Sequence, residues 1–364
     1  MTRGSGMSFS VDGWDPSYGA SLEIEGQLEE STARIDAGVE VPVDRWRPIN
    51  PEPAGPLPEA LLFVDGVRRV EAQVWIDNDT RAASPADVDM ATGEVQPGET
   101  ALAGEATAAL CASYAAGAVC CCAAGAHLVA SESGRGLFSV APHASDILTR
   151  AGGYKAFHVK IKRAGAPVMA ALSASLQRRL AAVEAEVAKA ARDAAAGTAE
   201  GPGGHPGPTG NDLLIVDGPL LGRQHLERAL GYVKSHHATY LPPELNALVG
   251  TLTPGQRTPA FQMGTSWDRH SWYLRLPGPP GAPWSGVVRI ECAADLPVDE
   301  VTRLAGLSQR SLGRFASDSY KDSRAPQNLY PIAGLERELR RRLGDPRLLY
   351  RALREAARPD QRRL

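Results

Sequence analysis

The stretch Leu213-Leu214-Ile215-Val216-Asp217-Gly218-Pro219 decides the interpretation of this chain, because it reads as a short buried strand that ends in Asp-Gly. A second run has the same form: Leu61-Leu62-Phe63-Val64-Asp65-Gly66-Val67. If the two strands are neighbours in one sheet, the carboxylates of Asp65 and Asp217 converge at its edge. A single Asp-Gly is more often a plain turn signal, whereas two of them, each after four apolar residues, fit a pair of turns and a shared role equally well.

The segments around these runs predict an alternation of strands and helices. Residues 69–76 alternate in polarity, so with Asp65-Gly66 before them they predict a hairpin. Residues 107–131 predict one or two further strands. Apolar residues at three- and four-residue spacing predict a helix over 167–193: Met169, Leu172, Leu176, Leu180, Val183 and Val187.

The second half of the chain continues the same mixture. Residues 222–236 predict a helix, 272–276 and 287–292 predict strands, and the stretch from Ile332 predicts a helix with Leu335, Leu339 and Leu343 on one face. The predicted fold class is therefore α/β, with a mixed sheet flanked by helices, additional strands and C-terminal helices.

Composition shifts predict three regions. Residues 1–57 form an extension with short strands at 22–25 and 39–43 and a Pro-rich linker, and 58–350 form the main domain with a flexible loop over 197–211. Residues 351–364 form a basic tail at the end of an arginine-rich segment, which is either a DNA-binding or partner-docking surface or a solvated helix with salt bridges.

Composition also excludes several classes of protein. The 364 residues are 43% hydrophobic and 22% charged with a net charge of −3, which excludes a wholly disordered chain and a uniformly basic one. The N-terminus lacks the apolar region of a secretory signal, and the uncharged stretch 106–126 is too weakly apolar for a membrane span. The five cysteines contain no CxxC pair, so we expect reduced thiols in a cytoplasmic protein and no zinc site.

Converging aspartates predict a site for a hard divalent cation. Carboxylates repel one another unless protons or metal ions neutralise them, and their oxygens suit Mg²⁺ or Mn²⁺. Two such ions about 4 Å apart can stabilise the attacking and leaving oxygens of a phosphodiester displacement. Glu184 and Glu186 lie on the helix before the Asp217 strand, and helical phase does not choose between them as further ligands.

The order of strands, helix, strand and late helix is similar to the ribonuclease H-like arrangement, and four segments resemble the NurA nucleases of that group. They are Phe63-Val64-Asp65-Gly66; Ile215-Val216-Asp217-Gly218-Pro219-Leu220 with Gly231-Tyr232-Val233-Lys234-Ser235; Arg257-Thr258-Pro259-Ala260-Phe261; and Asn328-Leu329-Tyr330-Pro331-Ile332. The pairing of Asp-Gly-Pro-Leu with Gly-x-x-Lys-Ser is the most specific of these matches. Together the segments span residues 60 to about 350.

The resemblance implies a Mn²⁺- or Mg²⁺-dependent DNA nuclease with single-strand endonuclease and 5′-to-3′ exonuclease activity. It further implies a homodimer that works with a HerA-type hexameric ATPase in DNA end processing or repair. Asp65 and Asp217 match the metal ligands, and Tyr330 matches the motif tyrosine. Archaeal members have a His about two turns past that tyrosine; here Glu336 and Glu338 are the carboxylates at that place.

Two cations are candidate phosphate contacts. Lys234 and Arg257 lie in the matched segments, and each can add a charge-assisted hydrogen bond to a phosphate oxygen of DNA. The equally supported alternative is that each is an ordinary surface cation. The predicted function is therefore metal-dependent hydrolysis of single-stranded DNA or duplex ends. The alternatives are a catalytically weak or inactive nuclease-like protein that binds DNA or a partner, and a ribonuclease H-like enzyme that cuts RNA.

Overall fold

The computed structural model describes residues 33–52, 55–77, 106–161, 167–196, 211–236, 238–278 and 284–357. The chain forms two compact units, and each is described by itself. Of the described residues, the first unit contains those up to Asp65 and those within Gly117–Ser131 and Glu184–Glu338. The second contains the described residues within Gly66–Ala116 and Glu132–Val183 and those from Leu339 onward. The strand predicted at 22–25 and nearly all of the loop predicted at 197–211 lie outside the described residues.

The strands, in chain order, are β1 (Arg34–Asp36), β2 (Ala60–Ile76), β3 (Thr107–Cys122), β4 (Gly125–Ser139), β5 (Ile147–Thr149), β6 (Gly152–His158), β7 (Asp212–Asp217), β8 (Ala229–Val233), β9 (Phe261–Gly264), β10 (Asp268–Arg275) and β11 (Val287–Ala293). The helices are α1 (Val168–Ala196), α2 (Pro243–Thr251), α3 (Val298–Leu312), α4 (Tyr330–Arg342) and α5 (Pro346–Ala356).

The first unit is built on a mixed sheet with strand order β1-β9-β10-β11-β8-β7-β2. Strand β7 runs parallel to both of its neighbours, and the remaining pairs are antiparallel. Helix α3 covers one face, where its residues Val301 and Leu304 pack in a core with Phe63, Ile215 and Trp272. The indole of Trp272 also donates a hydrogen bond to Ser308 Oγ at 3.1 Å.

The second unit has the strand order β2-β3-β4-β6-β5. Strand β6 pairs in parallel with the end of β4 and antiparallel with β5. Its core includes Ala109, Leu137 and Tyr154, with Leu353 of α5 packed among them. Helix α5 starts at an N-cap, Asp345, whose side chain accepts hydrogen bonds from two backbone N–H groups of the first turn.

The predicted α/β class with a mixed sheet and helices is confirmed. The stretch 107–131 forms β3 and the start of β4, the strands predicted at 272–276 and 287–292 are β10 and β11, and the helices predicted over 167–193 and from Ile332 are α1 and α4. Among the described residues, we find no helix with the length and apolar character that crossing a membrane requires. The uncharged stretch 106–126 lies instead in two strands and their turn.

The hairpin predicted across Asp65-Gly66 is wrong, because β2 is one continuous strand of 17 residues. A tight hairpin turn requires positive φ at its central residues, and neither Asp65 nor Gly66 has it. Asp65 is instead buried within the strand. The extended backbone keeps the aspartate in the sheet that also contains Asp217.

The helix predicted over 222–236 is also wrong, because that segment forms turns and strand β8. Gly231 lies where a Cβ atom would come within 2.7 Å of Glu291 Cγ, so the strand needs glycine there. Pairing with β7 and β11 on both sides supplies the backbone hydrogen bonds and overrides local helix propensity.

The strand predicted at 39–43 is replaced by bends that lead into a short 3₁₀ turn at Val43–Arg45. This segment turns so that the Glu40 carboxylate accepts two hydrogen bonds from the Arg257 guanidinium, at 2.6 and 2.7 Å. Glu40 also accepts a hydrogen bond from the backbone N–H of Ala260 at 2.6 Å. Pro42, two residues after Glu40, lacks the N–H that a strand ladder requires.

Candidate metal centre of the first unit

Two neighbouring parallel strands bring Asp65 and Asp217 side by side. Val64 of β2 is in register with Val216 of β7, so the next residue on each strand is an aspartate. Gly218 ends β7 at φ +88°, a left-handed conformation that favours glycine and turns the chain away after the carboxylate. The apolar residues before both aspartates are fully buried, which fixes the strands and therefore the spacing of the acids.

Helix α4 adds a third carboxylate. One side-chain oxygen from each of Asp65, Asp217 and Glu336 lies within 4.8 Å of the others. An octahedral Mg²⁺ with ligands at about 2.1 Å has neighbouring oxygens about 3 Å apart and opposite ones about 4 Å apart. The three oxygens are therefore spaced so that small side-chain rotations would bring them around one divalent ion.

Burial and repulsion make this cluster electrostatically unfavourable on its own. The pKa of Asp65 is raised well above its ordinary value, first by burial and then by the negative charge of Asp217, while Lys234 opposes the shift. Glu336 and Glu184 add smaller repulsive contributions to the pKa of Asp65. A divalent cation would remove the cause of this repulsion by neutralising the carboxylates.

Asp217 has one oxygen occupied and one open. Its Oδ2 accepts a hydrogen bond from Lys234 Nζ at 2.8 Å, and both side chains are mostly buried. Its Oδ1 is buried, and no group in the described part of the chain donates a hydrogen bond to it. A buried carboxylate oxygen usually has a partner, so an ion at this position would satisfy it. The donor set therefore fits a hard divalent metal.

A chain of polar contacts connects Asp217 to Glu336 through the segment before α4. Lys234 Nζ donates a second hydrogen bond to Asn328 Oδ1 at 3.1 Å, and Asn328 Nδ2 donates to Asp322 Oδ2 at 2.7 Å. The Arg324 guanidinium donates to both oxygens of Glu336, at 3.1 and 2.6 Å. These contacts fix the orientation of two of the three clustered carboxylates.

The structure distinguishes the two glutamates of α1. Glu184 is 5% exposed and forms a buried ion pair with Arg223, whereas Glu186 is exposed. Burial raises the pKa of Glu184 to about 7, with Arg223 opposing the shift and Asp217 adding to it. Glu184 thus lies near the cluster, although it is not one of the three carboxylates within 4.8 Å.

The remaining predicted site residues have other neighbours. Tyr330 is the first residue of α4, and its hydroxyl donates a hydrogen bond to Asp318 Oδ2 at 2.6 Å. Glu338 is partly exposed and does not belong to the carboxylate cluster. The Arg257 guanidinium is buried and donates to Glu40 and to Gln309 Oε1. The contacts in the structure thus make Lys234 a partner of Asp217 and Arg257 a partner of Glu40.

The residues that support the carboxylates carry little signal in the sequence alone. Asn328 lies in one of the four matched segments, which marks its position. Asp322, Arg324 and Arg223 lie outside those segments. Their roles depend on pairs such as Arg324 with Glu336, which are 12 positions apart and meet only after α4 has folded. Pair formation of this kind leaves no periodic pattern in a single sequence.

Among solved structures, the crystal structure of the NurA nuclease from Sulfolobus solfataricus is similar to this chain, with a TM-score of 0.40. The two share 10% sequence identity, and the match covers 85% of this chain and 88% of that one. No protein-family model matches the chain. No curated protein matches it either.

Proposed function

We propose that the chain is a divalent-metal-dependent nuclease that hydrolyses phosphodiester bonds of DNA. The observation that carries the proposal is the convergence of Asp65, Asp217 and Glu336 within 4.8 Å. Such a cluster is electrostatically unfavourable without a cation. Carboxylate oxygens are hard ligands that suit Mn²⁺ or Mg²⁺, and the buried Oδ1 of Asp217 has no hydrogen-bond donor among the described residues. Nucleases are among the enzymes that use ions held in this way.

Asp65, Asp217 and Glu336 would hold the metal. Glu184, whose charge also acts on Asp65, is the candidate ligand for a second ion, which would replace Arg223 as its partner. When bound, such ions neutralise charge on a phosphate and lower the pKa of bound water. Lys234 has a separate task, because its ammonium group donates a hydrogen bond to Asp217 Oδ2 and so fixes the orientation of that carboxylate. Arg324 orients Glu336 in the same manner through two parallel hydrogen bonds.

The finer activity follows the motif resemblance. We propose single-strand endonuclease and 5′-to-3′ exonuclease activity in DNA end processing or repair, in the cytoplasm, by a homodimer that works with a HerA-type hexameric ATPase. The Asp-Gly-Pro-Leu and Gly-x-x-Lys-Ser segments support this assignment. The net charge of −3 gives weak long-range attraction to DNA, so a ring-shaped motor would help retain the strand.

The test is cleavage of end-labelled single-stranded DNA with Mn²⁺, with Mg²⁺ and with chelator. We expect metal-dependent cleavage by the wild type, and loss of at least about 100-fold in Asp217→Asn, since the variant removes a direct metal ligand. Glu186→Gln is the matched control, because it removes the same charge from an exposed position of the neighbouring helix.

Three results would count against the proposal. Equal cleavage by Asp217→Asn and the wild type would show that the carboxylate cluster does not act. DNA binding without cleavage at any metal concentration would favour a nuclease-like binding protein. Cleavage of a matched RNA strand but not of DNA would favour the RNA-cutting alternative.

A further inference from the structure

A second cluster of potential metal ligands lies at the tip of the β3–β4 hairpin. Cys120 and Cys122 are two residues apart on β3, so their side chains point to the same face of the strand. Cys121, between them, points to the opposite face and packs in the core with Leu61 and Phe63. Alternation therefore separates one structural cysteine from two that can act together.

The turn adds a histidine to this pair. Strand β3 ends at Cys122 and β4 begins at Gly125, so the connection has two residues. In a hairpin of this length Cys122 faces Gly125 and Cys120 faces His127 across the strands. One ligand atom from each of Cys120, Cys122 and His127 lies within 4.8 Å of the others.

We propose that Cys120, Cys122 and His127 form a zinc-binding site. Thiolate sulfur and imidazole nitrogen are the ligands that Zn²⁺ prefers, at about 2.3 and 2.0 Å, and tetrahedral geometry then separates neighbouring ligand atoms by roughly 3.5 Å. The spacing in the hairpin accommodates that geometry after small side-chain rotations. The absence of a CxxC pair is no obstacle, because the third ligand comes from the facing strand.

This site differs in chemistry and place from the carboxylate cluster. Its soft sulfur ligands select Zn²⁺ over Mn²⁺ or Mg²⁺, whereas the carboxylates have the opposite preference. Asp212 is near enough to Cys120 for its charge to act on the thiol, and Asp212 begins the strand that ends at Asp217. Five residue steps along a strand are about 16 Å. The zinc, with water as its fourth ligand, would therefore lie away from the carboxylate cluster and take no part in hydrolysis there.

The experiment titrates the full-length reduced protein with Co²⁺ alone and follows thiolate-to-cobalt charge-transfer absorption, which carboxylate ligands do not give. Zn²⁺ added afterwards should abolish the absorption at one equivalent. Cys122→Ser and His127→Ala should each weaken binding by more than about 100-fold, because each removes a direct ligand. Cys121→Ala is the matched control, since that thiol faces the core, and should bind as the wild type does.

The controls separate this site from the one that the proposed function uses. Circular dichroism would check that each variant is folded. We expect both substitutions to be tolerated, because Cys122 and His127 are partly exposed. Asp217→Asn should leave the charge-transfer absorption unchanged. The zinc site would be overturned if the wild type gave no such absorption. It would also be overturned if Cys122→Ser and His127→Ala bound the metal as tightly as the wild type does.

Discussion

Replacing Asp65 with asparagine should stabilise the metal-free protein while removing its response to divalent cations. Asp65 is 6% exposed, and its carboxylate lies within 4.8 Å of Asp217 and Glu336. Asparagine has nearly the same shape and no charge. The substitution therefore isolates the electrostatic contribution of one carboxylate.

The size of the gain follows from Coulomb's law. Two unit charges 4.8 Å apart, at an effective dielectric constant of about 20, repel by about 3.5 kcal/mol. The raised pKa of Asp65 means that the folded protein retains a proton which the unfolded chain releases near pH 4. Wild-type stability should thus fall as pH rises above about 4, and the advantage of Asp65→Asn should grow over the same range.

The assay is urea denaturation of wild type and Asp65→Asn in chelator at pH 4, 7 and 9. We expect nearly equal stabilities at pH 4, and at pH 9 an advantage of about 1–3 kcal/mol for the variant. Mn²⁺ at 100 times its dissociation constant should then stabilise the wild type by about 2.7 kcal/mol and the variant by much less.

The control for this experiment is Glu186→Gln, which should change stability by less than about 0.5 kcal/mol because its side chain is exposed. A variant that is less stable than the wild type at pH 9, combined with wild-type stability that does not respond to Mn²⁺, would contradict the metal site at Asp65. That result would mean that Asp65 is stabilised by its surroundings and does not belong to a metal site.

The remaining predictions concern three other groups. As pH rises from about 4.5 to 7, the wild type should lose up to about 3 kcal/mol of stability, because burial raises the pKa of Glu184 to about 7 in the folded protein. Urea denaturation should show that Glu184→Gln lacks this loss. Arg257→Met should destabilise the first unit by about 3 kcal/mol by leaving Glu40 unpaired, and the double variant with Glu40→Met should recover most of this loss in thermal unfolding. Gly218→Ala should lower stability by about 1–2 kcal/mol in the same assay, since φ of +88° strains any residue with a Cβ.

The strands with the aspartates could be predicted because their signal is local. Four apolar residues before Asp65 and before Asp217 indicate burial in any context, and the structure pairs these segments in register. The long helix α1 was equally clear from its apolar spacing. By contrast, Asp65-Gly66 and Asp217-Gly218 have the same letters, and only the second pair ends a strand. The conformation of glycine at each place depends on the pairing of neighbouring strands.

The details of both ligand clusters depend on contacts that a single sequence does not encode locally. Helical phase leaves Glu184 and Glu186 equivalent until packing of α1 buries one of them. The segment 222–236 has helical spacing but is drawn into the sheet between β7 and β11. The Cys-x-Cys pair acquires His127 only through the register of a hairpin.

The most direct test of the metal centre is an anomalous difference map from crystals of the wild-type protein grown with Mn²⁺. We expect a peak within about 2.5 Å of carboxylate oxygens from Asp65, Asp217 and Glu336, and loss of that peak in crystals of Asp217→Asn. A map with no manganese at this cluster, at metal concentrations that support DNA cleavage, would contradict the central claim.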